Sequence, residues 1–346
     1  MNYPSELPPK LNSTSSIDYS LRKKAAWLSF GVSLVVLTLK AIAYSQTKSA
    51  AILSDALESI VNVVTAIVGI WVIAYVQEPA DEEHPYGHGK VEYFSAAFEG
   101  GLIFFAAIII CLEAAKAIVQ GDSLNSIESG FFYIGGATII NLACGLFIKK
   151  VGDSQKSEAL TASGVHILSD VKTTVGIMAG LGLVSVTGWK WLDPLMAVGV
   201  SIHLAFEGFG IVKKSISGLI DETDVGSIEV LSHSLKKFRQ PGIIDIHNLR
   251  VIRSGSFHHI DAHLVVPEYW DVSKSHAMTH EFENQVVSDY PFDGEFAFHL
   301  DPCHQSYCGK CDVQNCPIRQ IPFKQLYSFE AKDLIKGPVK TNTPAL

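Results

Sequence analysis

Residues 52–71 read ILSDALESIVNVVTAIVGIW, an apolar run that carries Glu58 and Asn62 in its middle. The run is long enough to span a bilayer, which takes about 20 residues. Residues 162–182, ASGVHILSDVKTTVGIMAGLG, repeat the arrangement with His166 and Asp170. Each pair is spaced i, i+4, so both members lie on one face of a helix. An ionisable group at mid-membrane costs about 3 kcal/mol even on insertion scales and marks an ion pathway or a substrate site. Two pairs supply four ligands, enough for one tetrahedral divalent cation. Carboxylate and imidazole bind metal only when deprotonated, so protons compete for the site. His166 titrates near neutrality and suits proton exchange. Asp55, one turn before Glu58, either supports these ligands from outside the set or faces an outer vestibule.

Outward from these pairs, six segments can span: roughly 25–45, 52–76, 91–118, 130–150, 159–186 and 191–214. An even count puts both termini on one side. Arg22, Lys23 and Lys24 precede the first span, Lys90 follows the second, Lys149, Lys150 and Lys156 the fourth, and Lys213 and Lys214 end the sixth. The opposite loops carry only Lys48 and Lys190, and the 119–129 loop has no Lys or Arg. The positive-inside rule then places both termini in the cytosol of a multi-pass protein, most simply in the plasma (inner) membrane. Charged residues make up 18% of the chain and mean hydropathy is +0.24, which fits a membrane protein. The net charge of -8 argues against a nucleic-acid partner and suits a cation handler.

Lesser polar positions have simpler readings. His203 and Glu207 read as a helix-packing pair, Glu113 and Lys116 as mutually neutralising, Asp193-Pro194 as a helix first turn, and Lys40 as snorkelling to water. Glu99 lies on the third span. In the loop after the second span, Asp81, His84 and His88 can gather as metal ligands. Pro85 and Gly87 favour a bent loop there over a helix.

The expected domains are a disordered tail at 1–20, six membrane helices over 21–221, a cytosolic domain over 222–302 and a Cys-rich tail over 303–346. The cytosolic order reads α-β-β-α-β, a ferredoxin-like α+β fold. In FHHIDAHLVV, Ile260, Ala262, Leu264 and Val266 form one face while His259, Asp261 and His263 share the other. His299 and Asp301 likewise share a face of the last strand, and His276 and His280 share a helix face. The tail CHQSYCGKCDVQNC gives Cys303-x4-Cys308-x2-Cys311-x4-Cys316. Four thiolates this close in the cytosol fit a structural Zn2+, with an iron–sulfur cluster as the alternative. His304 is a spare ligand. A disulfide framework does not fit that compartment.

Five motifs in order, LSDALESIVN, HPYGHGKVEYFSA, HILSDV, WLDPL and HLDPC, resemble the cation diffusion facilitator family of metal/proton antiporters. The resemblance covers about 20–303 and implies a homodimer whose cytosolic domains meet. It implies a transport site of Glu58, Asn62, His166 and Asp170, a loop site of Asp81, His84 and His88, and a cytosolic regulatory site of His263, His276, His299 and Asp301. Lys90 and Asp221 match positions of a charge interlock between subunits. Zinc exporters of the family carry Asp or His followed by Asp at the second-helix positions, and Glu58 and Asn62 depart from that pattern. The expectation is efflux of a divalent metal, Zn2+ first with Fe2+, Mn2+ or Co2+ open, in exchange for protons. The alternative is a membrane-bound metal sensor or scaffold. No nucleotide-binding Gly loop, nucleophile elbow or H-E-x-x-H is present, so no enzyme is expected.

Overall fold

The computed structural model describes residues 18–338, apart from 77, 79, 121–126 and 256. The chain divides into two compact units, one ending at Ile220 and one beginning at Asp221.

The first unit holds six helices: α1 (Tyr19–Thr47), α2 (Ala50–Tyr75), α3 (Val91–Gln120), α4 (Ile127–Gln155), α5 (Glu158–Thr187) and α6 (Leu192–Leu219). All six are long and apolar enough to cross a membrane. Most of the expected tail at 1–20 lies outside the described residues. Its last two residues are corrected to helix, because Asp18 caps α1 by accepting the Leu21 N–H at 3.1 Å. Lys48 and Ser49 turn α1 directly into α2. Lys48 takes the left-handed conformation and the Ser49 hydroxyl caps α2 at Ile52. Asp193, in the first turn of α6, reaches the same corner and accepts from the Ala50 N–H at 2.6 Å.

Helix α2 packs against α1, α3, α5 and α6. Its buried polar residues Asp55, Glu58, Asn62 and Thr65 recur at steps of three and four, one stripe down the helix. His166, Asp170 and Thr174 form the matching buried stripe on α5. The apolar residues Trp71, Phe105, Phe206 and Phe209 stand exposed on the outside. Such a surface is stable only when lipid covers it. Helices α3 and α6 touch at glycine. A Cβ on Gly208 would lie 2.6 Å from the Gly100 carbonyl oxygen, so only small residues allow this approach.

The second unit contains α7 (Val225–Lys237), β1 (Asp245–Ser254), β2 (Phe257–Val266), α8 (Val272–Asp289) and β3 (Asp293–Pro302). The sheet order is β1-β2-β3, with β1/β2 antiparallel and β2/β3 parallel. Ile260, Ala262 and Leu264 of β2 join Ile228, Leu231, Phe282 and Val286 of the helices in one core. The stretch after 303, set apart in the sequence as a tail, packs into this unit. Phe329, just before α9 (Ala331–Leu334), and Leu334 within it enter the same core, and Cys303, Tyr307, Cys311 and Val313 pack on Ile244 and Val265. Hydrophobic burial without periodic pattern explains why sequence reading separated it.

Candidate metal-binding sites

The two polar stripes meet. One ligand atom each from Glu58, His166 and Asp170 lies within 4.8 Å of the others, and all three residues are buried. Asn62 donates from Nδ2 to Asp170 Oδ2 at 2.5 Å, so the fourth expected residue is in place beside them. Both oxygens of Glu58, Oδ1 of Asn62, Nε2 of His166 and Oδ1 of Asp170 are buried without a hydrogen-bond partner. Each carries a lone pair. Leaving one such atom unsatisfied costs about 1–3 kcal/mol, and more for a charged group. Five such atoms on four neighbouring residues, three of which converge, make a candidate cradle for a cation.

Two expectations about neighbouring residues are corrected. Lys40 does not snorkel. It is fully buried and its Nζ lies 2.8 Å from Asp55 Oδ1, which also accepts from the Thr174 hydroxyl at 2.7 Å. An acidic interior offers Lys40 a partner nearer than water. Asp55 is thereby engaged and stands outside the ligand set. Glu207 is more than half of a packing pair: it lies 3.5 Å from His203 and also 3.4 Å from His166 Nδ1, and it accepts from the Ser169 hydroxyl at 2.9 Å. The same Nδ1 lies 3.5 Å from Asp170 Oδ1, so the imidazole stands between the two carboxylates. The Glu113–Lys116 pair forms as expected, at 2.5 Å.

Glu99 of α3 is buried with Oε1 unpartnered. It borders a cavity of about 30 Å³ shared with Ser29, Thr65 and Ser163. That volume suffices for a water molecule, given its polar lining.

The loop between α2 and α3 is bent, with Gly87 at φ 75°, and it gathers Asp81, His84 and His88 within 4.8 Å. Asp81 Oδ1 accepts from the His84 backbone N–H at 2.6 Å, which holds its carboxyl below the ordinary carboxylate range. His88 uses Nδ1 on the Glu78 carbonyl at 3.3 Å and turns Nε2 toward Asp81 at 3.5 Å. His84 faces the same carboxylate through Nδ1 at 3.2 Å, so the two histidines approach Asp81 with different ring nitrogens.

On the sheet, His263 Nδ1 lies 2.9 Å from Asp301 Oδ2, and His299 Nε2 lies 3.6 Å from Asp301 Oδ1. The third member of the tight cluster is His247 of β1, not His276. His276 stands exposed on α8 beside His280, ring centroids 6.1 Å apart. His247 escaped sequence reading because β1 shows no alternation there. A register shift between His247 and Arg250, with Asn248 at positive φ, turns it toward His263. Both its ring nitrogens are buried without a hydrogen-bond partner, and burial holds its pKa below the ordinary histidine value. Of the other outward residues, His259 is taken by Glu295 at 2.7 Å. Lys90 stands just before α3 and Asp221 just after α6, in different units.

The four tail cysteines lie at the end of β3 and in the irregular chain after it. Cys303 and Cys311 are buried and Cys308 and Cys316 half-buried, all as free thiols.

Known proteins share this plan. Residues 26–220 match the cation efflux transmembrane domain, and residues 227–303 match the cation efflux protein cytoplasmic domain. An uncharacterized transporter of Synechocystis sp. is 34% identical over 283 residues, covering 82% of this chain and 91% of that protein. The cation-efflux pump FieF of Salmonella arizonae is 27% identical over 289 residues, covering 82% and 93%.

Proposed function

The chain belongs to the cation efflux family, and we propose that it exports a divalent transition-metal cation from the cytosol in exchange for protons, acting as a homodimer in the plasma membrane with both termini cytosolic. Membership makes it a multi-pass membrane protein of cation efflux, and a transport role without enzymatic chemistry is part of the proposal. The observation that carries the proposal is the set of buried, unpartnered donor atoms of Glu58, Asn62, His166 and Asp170. Their protonation and their metal binding exclude each other. Metal from the cytosol displaces protons, and protons from outside displace metal as the helices rock about the site.

Zn2+ is the first cargo to test. Three oxygen donors and one nitrogen also suit Fe2+, Mn2+ and Co2+, since no soft thiolate is present in the set. The loop triad and the His247/His263/Asp301 cluster are proposed as further metal sites, the second regulatory. His299, which reaches Asp301, serves the same regulatory site.

Flux into proteoliposomes, driven by a pH gradient, tests the reading. Wild type is expected to move metal against a proton gradient, and Asp170→Ala or His166→Ala to stop it. Flux that survives either substitution and ignores the pH gradient overturns the proposal. Failure of the protein to restore growth of an exporter-deficient host on metal would instead favour a sensor.

A further inference from the structure

Four cysteines of the second unit have no part in the transport, loop or sheet sites. They occupy a stretch with little regular structure: one 3-10 turn, Gln305–Lys310, and then irregular chain up to α9. Its order rests on few contacts. Arg319 donates to the carbonyls of Cys308 and Cys311 at 2.9 Å each and of Val313 at 2.8 Å, and the Lys324 N–H donates to the Gly309 carbonyl at 2.7 Å. So short a segment is ordinarily held by a cross-link or a metal.

The cysteines surround a space. All four, with Tyr307 and Ile318, line a cavity of about 220 Å³. A single Zn2+ with bonds near 2.3 Å would draw its four sulfurs to about 3.8 Å from one another and leave no room between them. Among the described residues, the groups whose ligand atoms converge within 4.8 Å all lie elsewhere. No three of the four sulfurs stand as close together as one zinc ion would hold them. Backbone N–H groups already point at the sulfurs: Glu268 N–H donates to Cys303 Sγ at 3.5 Å, and the Val313 N–H bonds the Cys311 sulfur. Such bonds tune iron–sulfur clusters. Cys303-x4-Cys308-x2-Cys311 is the spacing that opens the plant-type ferredoxin pattern, although the fourth cysteine there lies farther along the chain. His304 also lines the cavity, with Nδ1 beside the Ser306 hydroxyl at 2.7 Å and its ring against Tyr307.

We infer that Cys303, Cys308, Cys311 and Cys316 hold an iron–sulfur cluster in this cavity. Binding requires the four thiols as thiolates, so loading releases their protons. Burial keeps the Cys303 and Cys311 thiols protonated beyond their ordinary range, and the cations of the cluster are what overcome it. The cluster staples residues 303–323 to the end of β3, two residues beyond Asp301.

The test uses the full chain, purified in detergent without oxygen and, in parallel, reconstituted with ferrous iron and sulfide. The expected result is iron and acid-labile sulfide in equal number in each chain, with a broad visible absorption that bleaches on reduction by dithionite. Cys308→Ser and Cys311→Ser are expected to lose both ions, whereas Cys111→Ser and Cys144→Ser, which lie outside the cavity, keep them. One zinc per chain without sulfide overturns the inference in favour of a mononuclear site. So does a wild-type chain that holds no metal after reconstitution. The wild-type chain carries the deciding measurement, so its outcome stands even where a serine variant misfolds.

Discussion

At the scale of single residues, what decides each role is which neighbour it meets across the bundle. Glu58 and Asn62 are the unusual half of the proposed transport site. Asn62 lends a neutral oxygen where a second carboxylate would add charge, and Glu58 reaches one methylene farther than Asp. We expect Glu58→Asp/Asn62→Asp to shift the order of metals transported, measured as flux of Zn2+, Fe2+, Mn2+ and Co2+ under one pH gradient. An unchanged order would show that selectivity lies elsewhere. Lys40 carries the second expectation. Removing its ammonium leaves Asp55 buried without its counter-charge, which costs about 3–5 kcal/mol. Lys40→Met should lower the unfolding temperature in detergent, and adding Asp55→Leu should recover most of the loss. The ligand pairs were legible in sequence because a carboxylate or imidazole inside an apolar run has few other reasons to be there. Lys40, Glu207 and His247 were not, because their partners lie 15, 41 and 16 residues away and no helical or strand period links them.

At the scale of elements, periodicity carried the fold. The six apolar runs became α1 to α6, each extending a few residues beyond its apolar span because caps such as Asp18, Ser49 and Ser157 prolong the helix into polar chain. Alternation in β2 placed Ile260, Ala262 and Leu264 inward, as its register with β1 and β3 requires. Alternation fails at His247 because the register shift bulges β1 there. Helix α7 shows a cap with a pH signature. Asp224 accepts from the Gly226 N–H at 3.1 Å and the Ser227 hydroxyl at 2.6 Å, and pairs with Arg253 of β1 at 3.0 Å. Burial alone would push its carboxyl up, but Ser227 and Arg253 outweigh it and hold the pKa below the ordinary value. A depressed carboxylate stabilises the fold above its unfolded pKa, near 3.9, and that stability is lost as pH falls through the lower folded value. Wild type should therefore lose stability below about pH 4, and Asp224→Asn should flatten that acid limb while costing stability at neutral pH, read from thermal unfolding across pH.

At the scale of the whole molecule, charge decides orientation. Arg22, Lys23, Lys24, Lys149, Lys150, Lys213 and Lys214 flank the ends of α1, α4 and α6 that share one side of the bundle by connectivity, and these are the ends the positive-inside rule assigns to the cytosol. The unit from Asp221 onward follows α6 directly in the chain, so the proposed orientation puts it in the cytosol. Its surface offers exposed lysines to a protease, Lys236, Lys237 and Lys274 among them. In inside-out vesicles, trypsin added outside should remove this unit and leave a protected fragment of six helices. In intact cells or right-side-out vesicles the chain should survive the same digestion until the membrane is permeabilised. The opposite pattern would reverse the chain in the membrane. It would also overturn export as the direction of transport, because the regulatory histidines and the four cysteines would then face away from the pool of metal that an exporter must sense.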